Sequence, residues 1–224
     1  MKLIKSRLIK ITKKGLEDLG YQEFRDSITP AQGLFIKSIK NHFYLSLGLT
    51  ISKYYEGLFT ASFYLSKVTT WATVGSDIPN DSYQRVGSFL LKEERKKLLP
   101  DEFSAQQSED AWWNIENENT LVDFLETVRI TEQRFLDQPD LFNKIRKSRF
   151  VSELEELSKK VINDVASNKI HEDHYRFVPA KPIDEIPLEW FKVAEKVIKE
   201  KKATLNFNTV KRLAADAFRQ SKCR

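Results

Sequence analysis

Cysteine is nearly absent: Cys223 is the only one in 224 residues. A lone thiol closes no internal disulfide, so the fold must be held by its core, and the cytoplasm is the expected address. Long hydrophobic runs are missing too. The most apolar stretches, Phe43 to Ile51 and Leu58 to Val68, are interrupted by Ser, Thr or Lys, and neither approaches the roughly 20 apolar residues that span a bilayer. Met1 to Lys10 carries a basic residue every two or three positions, which leaves no apolar heart for a secretory signal. Such a basic stretch could lie on an anionic membrane, but its apolar stripe is equally what a core-facing helix needs. The seven glycines form neither G-x-G-x-x-G nor a P-loop, and no G-x-S-x-G elbow is present. Three histidines leave few candidates for acid–base chemistry.

What is present is an ordinary globular balance, 41% hydrophobic and 31% charged, which excludes a disordered tail. Ile4, Leu8, Ile11, Gly15 and Leu19 fall at helical spacing, and Gly20 follows as a natural stop. The period then becomes two. Phe43, Leu45, Leu47, Leu49 and Ile51 alternate with small or polar residues, as do Phe59, Ala61, Phe63 and Leu65. Such alternation predicts strands with one face on a core, joined through the short turn at 52–57. Leu34 to Ile39 is a partner strand, and residues 22–28 can add another. Helical spacing returns after Thr120, whose Asp123 makes a capping-box pattern, and after Ser152 with Glu155. Two further helices follow at 188–198 and 210–218, the second with Asn208 as its expected cap. Residues 101–110 are polar and read as a loop. The fold class is therefore α+β: an antiparallel β-meander packed against helices, with a C-terminal helical extension. The division is an α+β domain over 1–167, a proline-bearing linker over 168–187, and a helix pair over 188–224.

Several of these positions occur together in a known order. Leu19-Gly20-Tyr21, Phe24-Arg25, the strand Phe43 to Leu49, Arg85-Val86-Gly87, Trp112-Trp113 and Glu132 to Leu136 follow one another. This succession resembles the bacterial domain-of-unknown-function family 4304, over roughly the first 165 residues. The resemblance implies a bacterial α+β domain with no established activity and no catalytic or cofactor residues. It also implies an accessory role, such as an immunity protein or a defence-system component.

The net charge of +5 conceals segregation. Residues 101–140 hold eleven acidic side chains against two arginines, a net of −9, while residues 188–224 reach +6 and residues 1–20 reach +4. Such a distribution suits a protein-binding surface. The exposed-aromatic candidates for it are Trp112, Trp113, Tyr54 and Tyr55, since tryptophan and tyrosine anchor interfaces. The basic helix pair points to nucleic acid as an alternative partner, through Lys201, Lys202, Lys211 and Arg212. His171 and His174 are the only pair with metal-ligand spacing, but the prolines downstream place them in a loop. Cys223 reads as a thiol on a frayed tail. No cofactor is expected, and an enzyme is disfavoured because no catalytic set emerges.

Overall fold

Period-two alternation builds the sheet. In the computed structural model, which describes residues 4–25, 31–69, 83–104, 111–115, 118–144, 149–170, 174–180, 185–203 and 205–223, strands β1 (Gln22–Phe24), β2 (Gly33–Ile39), β3 (Phe43–Ile51), β4 (Leu58–Ser66) and β5 (Tyr83–Arg85) lie side by side in that order. Every neighbouring pair is antiparallel, and β6 (Trp113–Asn114) joins β4 as a further short strand. The helices are α1 (Lys5–Asp18), α2 (Lys92–Leu98), α3 (Asp101–Ser104), α4 (Glu118–Leu136), α5 (Leu141–Lys144), α6 (Arg149–Ala166), α7 (Leu188–Glu200) and α8 (Phe207–Lys222). The chain is thus an α+β protein with an antiparallel meander and C-terminal helices.

One face of the sheet is apolar. Phe35, Leu45, Leu47, Leu49, Phe59 and Phe63 pack beneath Leu8 and Leu16 of α1 and Phe124, Val128 and Phe135 of α4. Phe59 meets Phe124 edge-on at 5.0 Å between ring centroids, and Phe63 stacks on Phe135 at 5.3 Å. Gly15 sits where α1 crosses α4, and a Cβ there would collide with the Leu125 side chain. Helix α1 ends as its sequence anticipates. Gly20 takes φ +87°, and the Tyr21 N–H closes the last turn on the Leu16 carbonyl at 3.0 Å.

The opposite face is not left to solvent, as one-sided strands would have required. Ser46, Thr60, Ser62 and Ser66 are buried there together with Leu34, Ile36, Tyr44 and Tyr64. Helix α8 reaches this face. The Tyr44 hydroxyl lies 3.4 Å from Gln220 Oε1, Arg219 approaches the Phe24 ring at 5.9 Å, and Cys223 Sγ lies 4.0 Å from Gln22 Oε1. Cys223 is therefore packed against the sheet rather than frayed. Burial pushes its thiol up to about 12, which keeps it protonated and poorly nucleophilic at neutral pH.

Helix α8 is locked down by one carboxylate. Asp216 is fully buried. Its Oδ1 accepts the Thr69 N–H at 2.5 Å and the Thr69 hydroxyl at 2.7 Å, and its Oδ2 accepts Ser158 of α6 at 2.5 Å and Gln220 at 2.8 Å. Burial raises its pKa, against the pull of those donors from Ser158, Thr69 and Gln220.

A second core forms where α6, α7 and α8 meet, with Leu154, Val161, Phe191, Val197 and Leu213 among its buried residues. Helix α6 belongs to this bundle, so the boundary expected at 167 falls between helices that share one core. The expected linker is also docked over its described part. Ile186 is buried in the bundle core, and Phe177 and Val178 pack against it. Glu195, fully buried in α7, accepts the backbone N–H groups of Arg176 at 2.8 Å and Phe177 at 2.9 Å. Burial pushes the Glu195 pKa up, but those two N–H groups and Lys199 outweigh it and hold the carboxyl below its ordinary value.

The caps differ from those expected. Helix α8 begins at Phe207 with Asn206 as its cap, accepting the Thr209 N–H at 2.9 Å, in place of Asn208. Thr120 and Ser152 both lie inside helices, because α4 begins at Glu118 and α6 at Arg149. The first turn of the 101–110 segment is helical as α3, and the rest of it lies outside the described residues.

Two outcomes follow. Asp216→Ala leaves three side-chain donors and a backbone N–H without their acceptor and should lower stability by about 3 kcal/mol, read as a lower denaturant midpoint at unchanged slope. Glu195→Gln should cost about 2 kcal/mol at neutral pH. Because the folded-state pKa of Glu195 is depressed, its stabilisation is present above about 4.5, its unfolded value, and is lost as pH falls through the lower folded value. The gap between wild type and Glu195→Gln should therefore narrow from pH 7 to pH 3; a constant gap would exclude the carboxylate as the source.

Candidate functional site

The β3–β4 hairpin ends in a turn built by Ser52. Its hydroxyl accepts the backbone N–H groups of Tyr54 at 3.1 Å and Tyr55 at 2.9 Å, while its own N–H donates to the Leu58 carbonyl at 2.9 Å. A serine oxygen that bonds two following N–H groups stiffens a turn at small entropic cost. The turn holds two tyrosines outward: Tyr54 is 91% exposed and Tyr55 52%.

Tyr55 does not stand alone. Its ring lies edge-on to Phe103 of α3 at 6.0 Å and to Trp112 at 6.1 Å. Trp112 is half-buried, and the Arg85 guanidinium of β5 sits 5.9 Å from its ring centroid. Four segments of the chain thus meet on one aromatic surface, with a cation at its rim. Edge-to-face rings and a guanidinium over an indole are favourable geometries, so these side chains hold one another in place.

Of the four aromatic candidates, three belong to this surface and one does not. Trp113 points to the opposite side of the strand, as alternation requires. It is fully buried, packs on Phe124 at 5.2 Å, and donates its Nε1–H to the Leu98 carbonyl at 3.2 Å. It is a core residue, not a docking residue. Phe103 and Arg85 were not candidates from sequence, because nothing local distinguishes them; only the convergence of β5 and α3 on the hairpin end does.

The basic candidates are divided. Lys201 and Lys202 lie in the α7–α8 connection, where Lys202 takes φ +51°. Lys201 is paired with Glu156 of α6 at 2.6 Å, and Lys160 of α6 pairs with Glu200. These contacts show the helix pair using its charge to pack on α6. Lys211 and Arg212 are half-buried on α8, and Arg212 lines an open cleft of about 620 Å³ shared with Leu154 and Leu157 of α6. The four cations therefore do not form one continuous exposed track.

The acidic segment is likewise partly engaged. Glu132 accepts the Tyr21 hydroxyl at 2.7 Å and pairs with Lys37 of β2, and Glu126 pairs with Arg129 at 2.6 Å. Arg134 grips Glu94 through two nitrogens, each at 2.6 Å. His171 lies outside the described residues; His174 is exposed, and its carbonyl accepts the Lys199 ammonium at 3.4 Å. Among the described residues, no group of three or more His, Cys, Asp or Glu is placed to hold a metal ion, and no helix is long and apolar enough to cross a membrane.

No protein-family model, no curated protein and no solved structure matches this chain.

Proposed function

We propose that this chain is a non-enzymatic protein-binding module, with the aromatic surface at the β3–β4 hairpin end as its docking site. The observation that carries this reading is the presentation of Tyr54 and Tyr55, exposed on a turn that Ser52 holds in place. Apolar rings kept in water are unfavourable in the isolated protein, and interface hot spots draw on tyrosine, tryptophan and arginine in this kind of arrangement. Trp112 and Arg85 extend the surface. The residue succession from Leu19-Gly20-Tyr21 to Glu132–Leu136 resembles family 4304, although no family model matches the chain, and on that resemblance we assign it an accessory role, as an immunity protein or a component of a bacterial defence system acting in the cytoplasm. The competing reading is a nucleic-acid-associated subunit using the basic C-terminal helices. It has weaker support, because Lys201 is bound to Glu156.

The test is affinity capture from the native host, followed by titration of whatever protein is retained. Tyr54→Ser/Tyr55→Ser should weaken its binding by about 30-fold or more, as two truncated anchors of about 1 kcal/mol or more each require. Val122→Ser, at an exposed position on α4, should leave it unchanged. Equal capture by the wild type and the tyrosine double variant removes the hairpin surface from consideration. Loss of capture on raising salt, with the tyrosines irrelevant, favours the nucleic-acid reading instead.

A further inference from the structure

Beside the turn that joins β2 to β3, a small cleft of about 270 Å³ opens between the sheet and helices α6 and α8. Among the described residues, no aliphatic side chain lines it. The sheet side contributes His42 and Tyr44, together with Lys67 just beyond β4. Helix α6 contributes Lys159 and Asn163, with Glu155 one turn before Lys159, and α8 contributes Gln220. Among the described residues, the wall thus carries two ammonium groups and an imidazole against a single carboxylate. That carboxylate is engaged within the wall, since Glu155 accepts from Lys159 at 2.9 Å.

The floor is fixed from below. Gln220 gives its amide N–H to the buried Asp216 at 2.8 Å and receives the Tyr44 hydroxyl at 3.4 Å. The amide is therefore held by the same carboxylate that locks α8. Lys67 lines the cleft from the sheet side, and its ammonium also makes a cation–π contact, at 3.8 Å from the ring centroid, with Phe43 of the core on the other face of β3. His42 adopts φ +58°, a left-handed conformation in which Asn, Asp and His are the non-glycine side chains most often found.

We infer that this cleft is a site for a phosphoryl dianion, either inorganic phosphate or the phosphomonoester head of a small metabolite. The donor set is the argument. Ammonium, amide and imidazole groups line it from four segments of the chain, and such groups recognise tetrahedral oxyanions. The size agrees, because 270 Å³ lies below the range of about 300–1,000 Å³ that drug-sized ligands occupy. The site is separate from the aromatic surface and does not depend on it.

Calorimetric titration of the full chain with inorganic phosphate, and in parallel with glycerol 3-phosphate, tests the inference. The wild type should bind at least one of the two, and Lys67→Gln/Lys159→Gln should weaken that binding tenfold or more. Val122→Ser should match the wild type. Circular dichroism checks that the double variant is folded; if it is not, Lys159→Gln alone, at an exposed position, should weaken binding at least threefold. Tighter binding of the monoester identifies an organic phosphate as the ligand, and tighter binding of phosphate the free ion. Absence of heat with both, or equal affinity in wild type and lysine variants, overturns the site. A short single-stranded RNA that binds more tightly than either, and loses affinity in the lysine variants, overturns the small-ligand reading in favour of a polymer.

Discussion

The structure turns on a single buried carboxylate. Asp216 gathers the segment that follows β4 through Thr69, the middle of α6 through Ser158, and its own helix through Gln220. An unpartnered charge in an interior is prohibitively costly, whereas a carboxylate saturated by four donors can be retained. These donors also have directions, so the carboxylate sets the rotation of α8 as well as its position. With α8 so oriented, Gln220 meets Tyr44, Arg219 meets Phe24, and Cys223 packs near Gln22. The polar face of the sheet is covered because of that register.

Charge serves the same assembly. The opposed signs along the chain become contacts between neighbours: Lys37 with Glu132, Arg134 with Glu94, Lys201 with Glu156, Lys160 with Glu200. Exposed pairs of this kind contribute little individually. Their consequence here is geometric, since they use up part of the acidic middle and part of the basic tail that could otherwise face a partner. The aromatic surface at the hairpin end gains weight accordingly as a site for docking. Both candidate sites lie on the sheet, one at each end of β3, where strands and helices give rigid support to the side chains.

Much of the fold was legible before the structure. The two periods, 3.6 and 2, marked α1, β3, β4, α4 and α6 to α8, and Gly20 marked the end of α1, because these signals arise from a few consecutive residues. The caps were less legible. Asn206 and Asn208 are equally good acceptors in sequence, and only the entry direction of the chain selects Asn206. In the candidate surface, Tyr54, Tyr55 and Trp112 were visible as residue types. Trp113 looked identical to Trp112, and pleating sent it into the core instead.

Residue order and chemistry thus determined by themselves the class of fold, the identities of α1, β2 to β4, α4 and α6 to α8, and the absence of an internal disulfide, since each depends on local spacing or on composition. The tertiary structure decided what covers the second face of the sheet, to which helices α6 belongs, and which aromatic rings meet. Those outcomes rest on contacts such as Thr69 with Asp216, 147 residues apart, and Ser158 with Asp216, 58 apart. No local pattern encodes them, because a buried carboxylate and an exposed one occupy the same place in a helical repeat until something packs against it.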